Sequence, residues 1–367
     1  MGDSPGLQMT TDIRIDTRSD TARARAALSG PLPFGQVLAD LMLRIEHDPD
    51  RGWHDAAIGP LAPITLSPAA KVLHYSQEIF EGHKAYRWPG GEVALFRPDL
   101  NAARFNASAR RLGMPEIPEA LQLAATETLV DLLREWAPPE PGALYVRPTM
   151  IGVDPALGVG PSRDQLYFVI CCPVGPYFGG FEDIAVLVEE RDVRAAPGGV
   201  GTAKTGGNYA AGIPAQRRAK EAGFDQVLWL DAVQHRYIEE LNAMNVFLVQ
   251  DGVLLTPPTS GTILPGITRR SLLRLAEEAG IEAEERALDI DEVARGIASG
   301  TVTEMFAAGT AVVVTPIGAL GYKGQRLEIS PGRPRSVARR LFEELTGIQF
   351  GRLPDRHGWM RVVDKRG

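Results

Sequence analysis

Apolar positions along the 367-residue chain recur at helical spacing in some stretches and at strand spacing in others. PEALQLAATETLVDLLREWA (118–137) repeats leucine and alanine every three or four residues and stops at Pro138-Pro139, which predicts an amphipathic helix ended by proline. LNAARFNASARRLGM (100–114) predicts another helix, closing at Gly113 ahead of Pro115. EVALF (92–96), ALYVRPTM (143–150) and QLYFVICCPV (165–174) read as strands, the last apolar enough to be central in a sheet. Ser67-Pro68 opens SPAAKVLHYSQEIFEGHKAY (67–86) as a cap and first turn, with His74, Tyr75, Ile79, Phe80 and Tyr86 on a largely aromatic face.

The pattern breaks at VGPYFGGFED (174–183), rich in glycine, proline and aromatic residues, which predicts a domain boundary. Beyond it, strands are expected at 184–190, 226–230, 235–241, 245–249, 302–309 and 311–317. Helices are expected near 209–222 and at 268–280, 289–300 and 335–347. Residues 1–30 are polar with little periodicity and read as a mobile arm. The resulting division is an arm (1–30), a small α/β domain (31–174), a connecting loop (175–183) and a larger domain (184–367). Alternating strands and helices in both halves give an α/β or α+β fold class.

Composition narrows the function. The formal net charge is -7, and no block of five or more Lys or Arg offers a nucleic-acid footprint. No apolar run reaches the roughly 18 residues of a membrane span, and the N-terminus lacks the features of a secretory signal. The two cysteines, Cys171 and Cys172, are adjacent, and the six histidines are scattered. Neither a disulfide framework nor a metal is expected, and the compartment reads as cytoplasm.

One stretch carries chemistry. GGVGTAKTGGNYA (198–210) places Lys204 among small residues with no charge within five positions on either side. Three readings compete. A phosphate-binding P-loop needs G-x-x-x-x-G-K-[ST], but Ala203 stands where the glycine should be. An exposed lysine in a flexible turn is the bland reading. The third is covalent chemistry, in which a lysine in a weakly polar site attacks a carbonyl of a substrate or of pyridoxal phosphate.

The strings HYSQEIFEGHKAYR (74–87), LYVRPTMIG (144–152), CPVGPYF (172–178), GGVGTAKTGGNYA (198–210), VLWLD (227–231), EELNAMN (239–245) and LPGITR (264–269) together resemble the branched-chain aminotransferases, pyridoxal-phosphate enzymes of fold type IV. The likeness runs in order from about residue 34 to the end of the chain. It implies a homodimer of two-domain subunits, with a small α/β domain and a larger pseudo-barrel domain flanked by helices. It also implies transamination of leucine, isoleucine and valine with 2-oxoglutarate, in which the cofactor, pyridoxal 5'-phosphate, forms a Schiff base with Lys204. Of two adjacent carboxylates, the resemblance assigns Glu240 to the cofactor ring nitrogen and leaves Glu239 in solvent. Arg104, Ile267, Thr268 and Thr310 would hold the phosphate, and Tyr209 the phenolic oxygen. Tyr75, Phe80, Tyr145 and Tyr177 would wall the substrate pocket. Arg147 would meet the side-chain carboxylate of glutamate, and Thr310 and Ala311 the substrate α-carboxylate.

The chain departs from the family in two places. Asn242 stands where the family commonly has glycine, and Ala243 where many members have threonine or glycine. Val312 and Thr315 stand where animal members carry a redox-active Cys-x-x-Cys. A D-amino-acid aminotransferase or an aminodeoxychorismate lyase would use the same lysine and glutamate. A phosphate- or nucleotide-binding protein is the alternative from another class.

Overall fold

The computed structural model describes residues 13–176, 180–259 and 261–365. They form two sheets of nine strands each. The first runs Arg14–Ile15, Gly52–Pro60, Leu41–Asp48, Gln165–Val174, Ala143–Gly152, His83–Arg87, Val93–Phe96 and Met360–Val362, with Glu78–Phe80 also paired to Ala143–Gly152. The second runs Ile238–Leu241, Gln226–Leu230, Ile184–Glu189, Val313–Tyr322, Val302–Gly309, Asn245–Gln250, Val253–Thr256 and Ala283–Glu285. Ile238–Leu241 also pairs with Asn245–Gln250, so six strands close into a barrel, and Gln325–Glu328 pairs with Val313–Tyr322 outside it. The pseudo-barrel with flanking helices expected for the second half is present.

Each sheet has its own core, and a third cluster joins them. Tyr86, Phe96 and Tyr145 of the first sheet pack with Phe247 and Phe306 of the second and with the helices Ile267–Glu278 and Ser336–Gln349. Phe247 and Phe306 are fully buried and stack at 5.1 Å. Each such side chain contributes about 1.5–3 kcal/mol by leaving water. The seam between the sheets is therefore a packed interface, and it positions the cavity described below.

Several expectations need correction. Ser67-Pro68 does not open the helix of the segment 67–86, which starts after Ala70. Only Lys71–Tyr75 is helical, because Ser76 turns into the left-handed region at φ 49°, and strands follow at Glu78–Phe80 and His83–Arg87. The helix near 209–222 is two, Gly206–Ala210 and Ile213–Glu221. Residues 13–30 are docked rather than free. Asp20 caps the helix Thr21–Leu28, Ala24 is buried, and Ser19 Oγ accepts from Trp136 Nε1 at 2.9 Å while donating to Asp40 at 2.7 Å. The C-terminal strand Met360–Val362 returns to the first sheet, so the segment 184–367 does not stay with the second. The strands Leu41–Asp48 and Gly52–Pro60 go beyond the sequence expectation, and pairing with Gln165–Val174 and with each other forms them. Among the described residues no helix is long and apolar enough to cross a membrane.

Candidate active site

Lys204 opens into a cavity of about 790 Å³ at the seam. Its backbone is pinned on both sides: its N–H donates to Ser108 Oγ at 2.9 Å, and its carbonyl accepts from the Phe80 N–H at 2.9 Å. The next peptide is held by the strand Glu78–Phe80, with the Gly206 N–H donating to Glu78 Oε2 at 2.7 Å. Only the side chain is left free to project. Its Nζ donates to the Tyr209 hydroxyl at 2.6 Å and lies 4.5 Å from the Phe80 ring centroid.

Glu240 approaches the same cavity from the barrel strand Ile238–Leu241 and is 2% exposed. Its Oε1 lies 2.8 Å from Arg194 Nη1 and accepts from the Leu264 N–H at 3.2 Å, and its Oε2 accepts from Asn245 Nδ2 at 3.1 Å. Burial pushes this carboxyl up to about 7, against the pull of Arg194. Glu239, expected in solvent, is instead 6% exposed, since all four residues of this strand are buried.

One end of the cavity is made by the helix Ile267–Glu278, which has no side-chain cap, so the first N–H groups at Ile267 and Thr268 remain available beside the cavity, an arrangement suited to an anion. Arg104 lines the same region. Its Nε and Nη2 bond Glu81 at 2.7 and 2.9 Å, and its Nη1 donates to the Pro265 carbonyl at 3.0 Å. Burial alone would raise the Glu81 carboxyl, but Arg104 holds it below the usual range.

At the other end, Phe80, Tyr145 and Arg147 line the wall. Arg147 donates to the Tyr145 hydroxyl at 3.1 Å, its guanidinium carbon lies 4.7 Å from the Phe80 ring centroid, and its buried Nε has no partner. Tyr145 can close on this wall only because residue 82 is glycine: a Cβ there would sit 1.9 Å from its hydroxyl. Thr310 and Ala311 line the cavity from the turn between Val302–Gly309 and Val313–Tyr322. The buried Lys84 amine, pushed down to about 8 by desolvation, donates to the Ala311 carbonyl at 2.8 Å. Val313 closes this turn at φ 62°, a conformation costly for a β-branched residue and typical of functional turns.

Eleven expected residues thus meet in one cavity: Phe80, Arg104, Tyr145, Arg147, Lys204, Tyr209, Glu240, Ile267, Thr268, Thr310 and Ala311. Tyr75 does not join them. It is 41% exposed, and its hydroxyl donates to the Leu157 carbonyl. Tyr177 lies outside the described residues. Phe34 is an addition to the expected set: it lines the cavity with its ring 4.8 Å from Tyr145. It sits in an irregular segment where no periodicity could single it out. Glu81 and Arg194 also go beyond the expected set: Glu81 has Glu78 and Lys84, and Arg194 has Arg191 and Asp192, within three residues, so neither stands out by isolation as Lys204 does.

A lysine amine, a buried carboxylate and an uncapped helix N-terminus with an arginine around one cavity fit pyridoxal 5'-phosphate, whose aldehyde, ring nitrogen and phosphate need those three partners. Fold and site define a fold type IV aminotransferase, and the family model for amino-transferase class IV matches residues 78–320. The chain is 45% identical over 361 residues to the branched-chain-amino-acid aminotransferase of Mycolicibacterium smegmatis, covering 96% of this chain and 98% of that one. The crystal structure of the T.th. branched-chain amino acid aminotransferase with pyridoxamine 5'-phosphate superposes with a TM-score of 0.75 at 29% identity, covering 90% of this chain and 100% of that one. The same T.th. enzyme complexed with N-(5'-phosphopyridoxyl)-L-glutamate gives a TM-score of 0.74 at 27% identity, with 90% and 100% covered. The chain belongs to the branched-chain-amino-acid aminotransferase family.

Proposed function

We propose that this enzyme transfers the amino group of leucine, isoleucine or valine to 2-oxoglutarate, giving the branched-chain 2-oxo acid and L-glutamate, with pyridoxal 5'-phosphate as cofactor. The observation that carries the site assignment is the convergence of the Lys204 amine, the buried Glu240 carboxylate and Arg147 on one cavity. When bound, the cofactor supplies a carbonyl carbon that takes up the amino group and an electron-withdrawing ring.

In this reading Lys204 anchors the cofactor and then moves the proton at the substrate α-carbon, with Tyr209 fixing the amine in place. Glu240 keeps a proton on the ring nitrogen, and Arg194 holds that carboxylate in position. Arg104, aligned by Glu81, and the N–H groups of Ile267 and Thr268 hold the phosphate, with the Thr310 hydroxyl beside them. Thr310 and Ala311 take the α-carboxylate. The apolar wall of Phe34, Phe80 and Tyr145 excludes water from an aliphatic side chain, while Arg147 accepts the second carboxylate of glutamate. One pocket serves both substrates because a cationic donor with an unused N–H lies at the edge of an aromatic wall.

Tyr75 belongs to an exposed apolar patch with Leu73, Leu157 and Val159, the last 89% exposed. We propose that this patch is covered in a homodimer, in which Tyr75 reaches the pocket of the neighbouring subunit. The compartment we propose is the cytoplasm, where the free, buried Cys171 and Cys172 stay reduced. A panel of L- and D-amino acids with 2-oxoglutarate as acceptor tests the function. Turnover of the three branched-chain L-amino acids is expected; preference for D-amino acids would shift the assignment to another activity of this fold.

A further inference from the structure

Glu239 and Glu240 point to opposite faces of one strand, yet a single chain of contacts joins their carboxylates. Glu239 Oε1 accepts from the Thr262 hydroxyl, while its buried Oε2 has no partner. The carbonyl of the same Thr262 accepts from Arg194 Nη1 at 2.9 Å, and that nitrogen lies 2.8 Å from Glu240 Oε1. Arg194 also reaches the Gly201 carbonyl at 3.4 Å, three residues before Lys204. Gly201 packs so tightly on this joint that a Cβ would lie 2.5 Å from the Thr262 carbonyl oxygen. Thr262 is therefore the piece on which both the arginine beside Glu240 and the lysine loop rest, and its hydroxyl is tied down by Glu239.

We infer that Glu239 is a positioning residue for the cofactor-binding pair Glu240 and Lys204, acting through Thr262 and Arg194. This inference rests on the roles proposed above for Glu240 and Lys204. One guanidinium acts on two carboxylates: Arg194 contacts Glu240 directly and reaches Glu239 only through its charge. Glu239 faces Thr262, Arg194 and, farther off, Asp231. Glu240 faces Arg194, Asn245, the Leu264 N–H and Lys204. Burial pushes the Glu239 carboxyl up, against the pull of Thr262 and Arg194; in its ionised form it adds negative charge behind Glu240, which strengthens the hold on a cationic ring, and it fixes the geometry of Thr262. Both contributions are lost without Glu239, whose strand position would otherwise suit any apolar residue.

The test compares holoenzymes carrying Glu239→Gln, Thr262→Val, Thr262→Ser and Glu240→Gln. Two quantities are read: the pH midpoint of the cofactor's visible absorbance band, and the rate of cofactor loss on dilution. Glu239→Gln removes charge, and Thr262→Val removes the hydroxyl that Glu239 holds. Each is expected to move the midpoint by about half a pH unit or more, the scale of one charge at this separation, and to speed cofactor loss at least about threefold. Thr262→Ser, which keeps the hydroxyl, should behave as wild type and thereby separates the hydrogen bond from mere packing. If Glu239→Gln does not fold, Thr262→Val against Thr262→Ser decides. Midpoints and loss rates matching wild type in both Glu239→Gln and Thr262→Val, while Glu240→Gln changes them, overturn this inference alone. A Glu240→Gln enzyme indistinguishable from wild type overturns the assignment of Glu240 itself.

Discussion

The Lys204 amine and the Tyr209 hydroxyl, five residues apart, share a 2.6 Å hydrogen bond. The helix Gly206–Ala210 carries the chain from one to the other, with Gly206 packed so closely on Glu78 that a Cβ would lie 2.8 Å from its Oε2, and it fixes the direction of the amine before any substrate arrives. Lys204→Ala is expected to fold, since the position fills no core, and to lose transamination. A variant keeping more than about a hundredth of wild-type turnover would remove Lys204 from the mechanism, because such groups are worth 10²–10⁴-fold. Tyr209→Phe keeps the ring against Phe80 and should lower kcat about tenfold, the scale of a hydrogen bond to a charged group.

Arg147 lines the pocket, and its buried Nε has no partner. Arg147→Ala should therefore raise KM for glutamate and 2-oxoglutarate far more than for leucine, by about tenfold or more on the scale of a charged hydrogen bond. Steady-state kinetics with both amino donors measures the split. Equal losses would mean that Arg147 serves mainly to hold Tyr145.

Tyr209 is legible only through the family resemblance of its motif, whereas Lys204 is legible because isolation among small residues is a local property. Helices such as 118–137 and 100–114 are legible for the same reason, and the strand Gln165–Val174 matches its expected range to the residue. The environment of Glu239 is not legible. Alternation along a strand predicts one wet face, but the barrel strand Ile238–Leu241 is buried on both. Tyr75 falls short for another reason: its motif names a pocket residue, yet the chain folded alone leaves it on the surface. Pairings that join distant segments, such as Met360–Val362 with Val93–Phe96, leave no local trace at all.

Glu81 and Arg104 form a bidentate pair in which Glu81 is 1% exposed. Removing one member of a buried pair leaves the other uncompensated, at about 3–5 kcal/mol. Glu81→Gln should lower the melting temperature and weaken cofactor retention at least about tenfold, because Arg104 loses its orientation toward the anion site. A variant that melts lower but binds pyridoxal 5'-phosphate as tightly as wild type would make Glu81 purely structural.

Burial raises Glu240 from an unfolded value of 4.5 to about 7. The sign follows from proton counting: between these values the folded protein holds a proton that the unfolded chain has released. This group therefore favours folding least above pH 7, and its contribution falls progressively from pH 4.5 to 7. In Glu240→Gln that component is absent. The difference in melting temperature between variant and wild type, measured without cofactor, should shift in the variant's favour as pH rises from about 5 to about 7.5. A difference independent of pH would place the Glu240 titration outside this window.

Cys171 and Cys172 are 2% and 5% exposed on consecutive positions of one central strand. Burial raises both thiols, Cys171 well above its ordinary value, so little thiolate is present at neutral pH and oxidation is slow. Consecutive strand positions also face opposite ways, and each cysteine packs in a different core cluster. Val312 and Thr315 bring no sulfur to the turn beside the substrate pocket. Mild peroxide is therefore expected to leave activity unchanged, and a reductant to add nothing. An activity loss under peroxide that dithiothreitol restores would require one of the two thiols to reach solvent, which means the strand Gln165–Val174 would have to open while the enzyme is still folded.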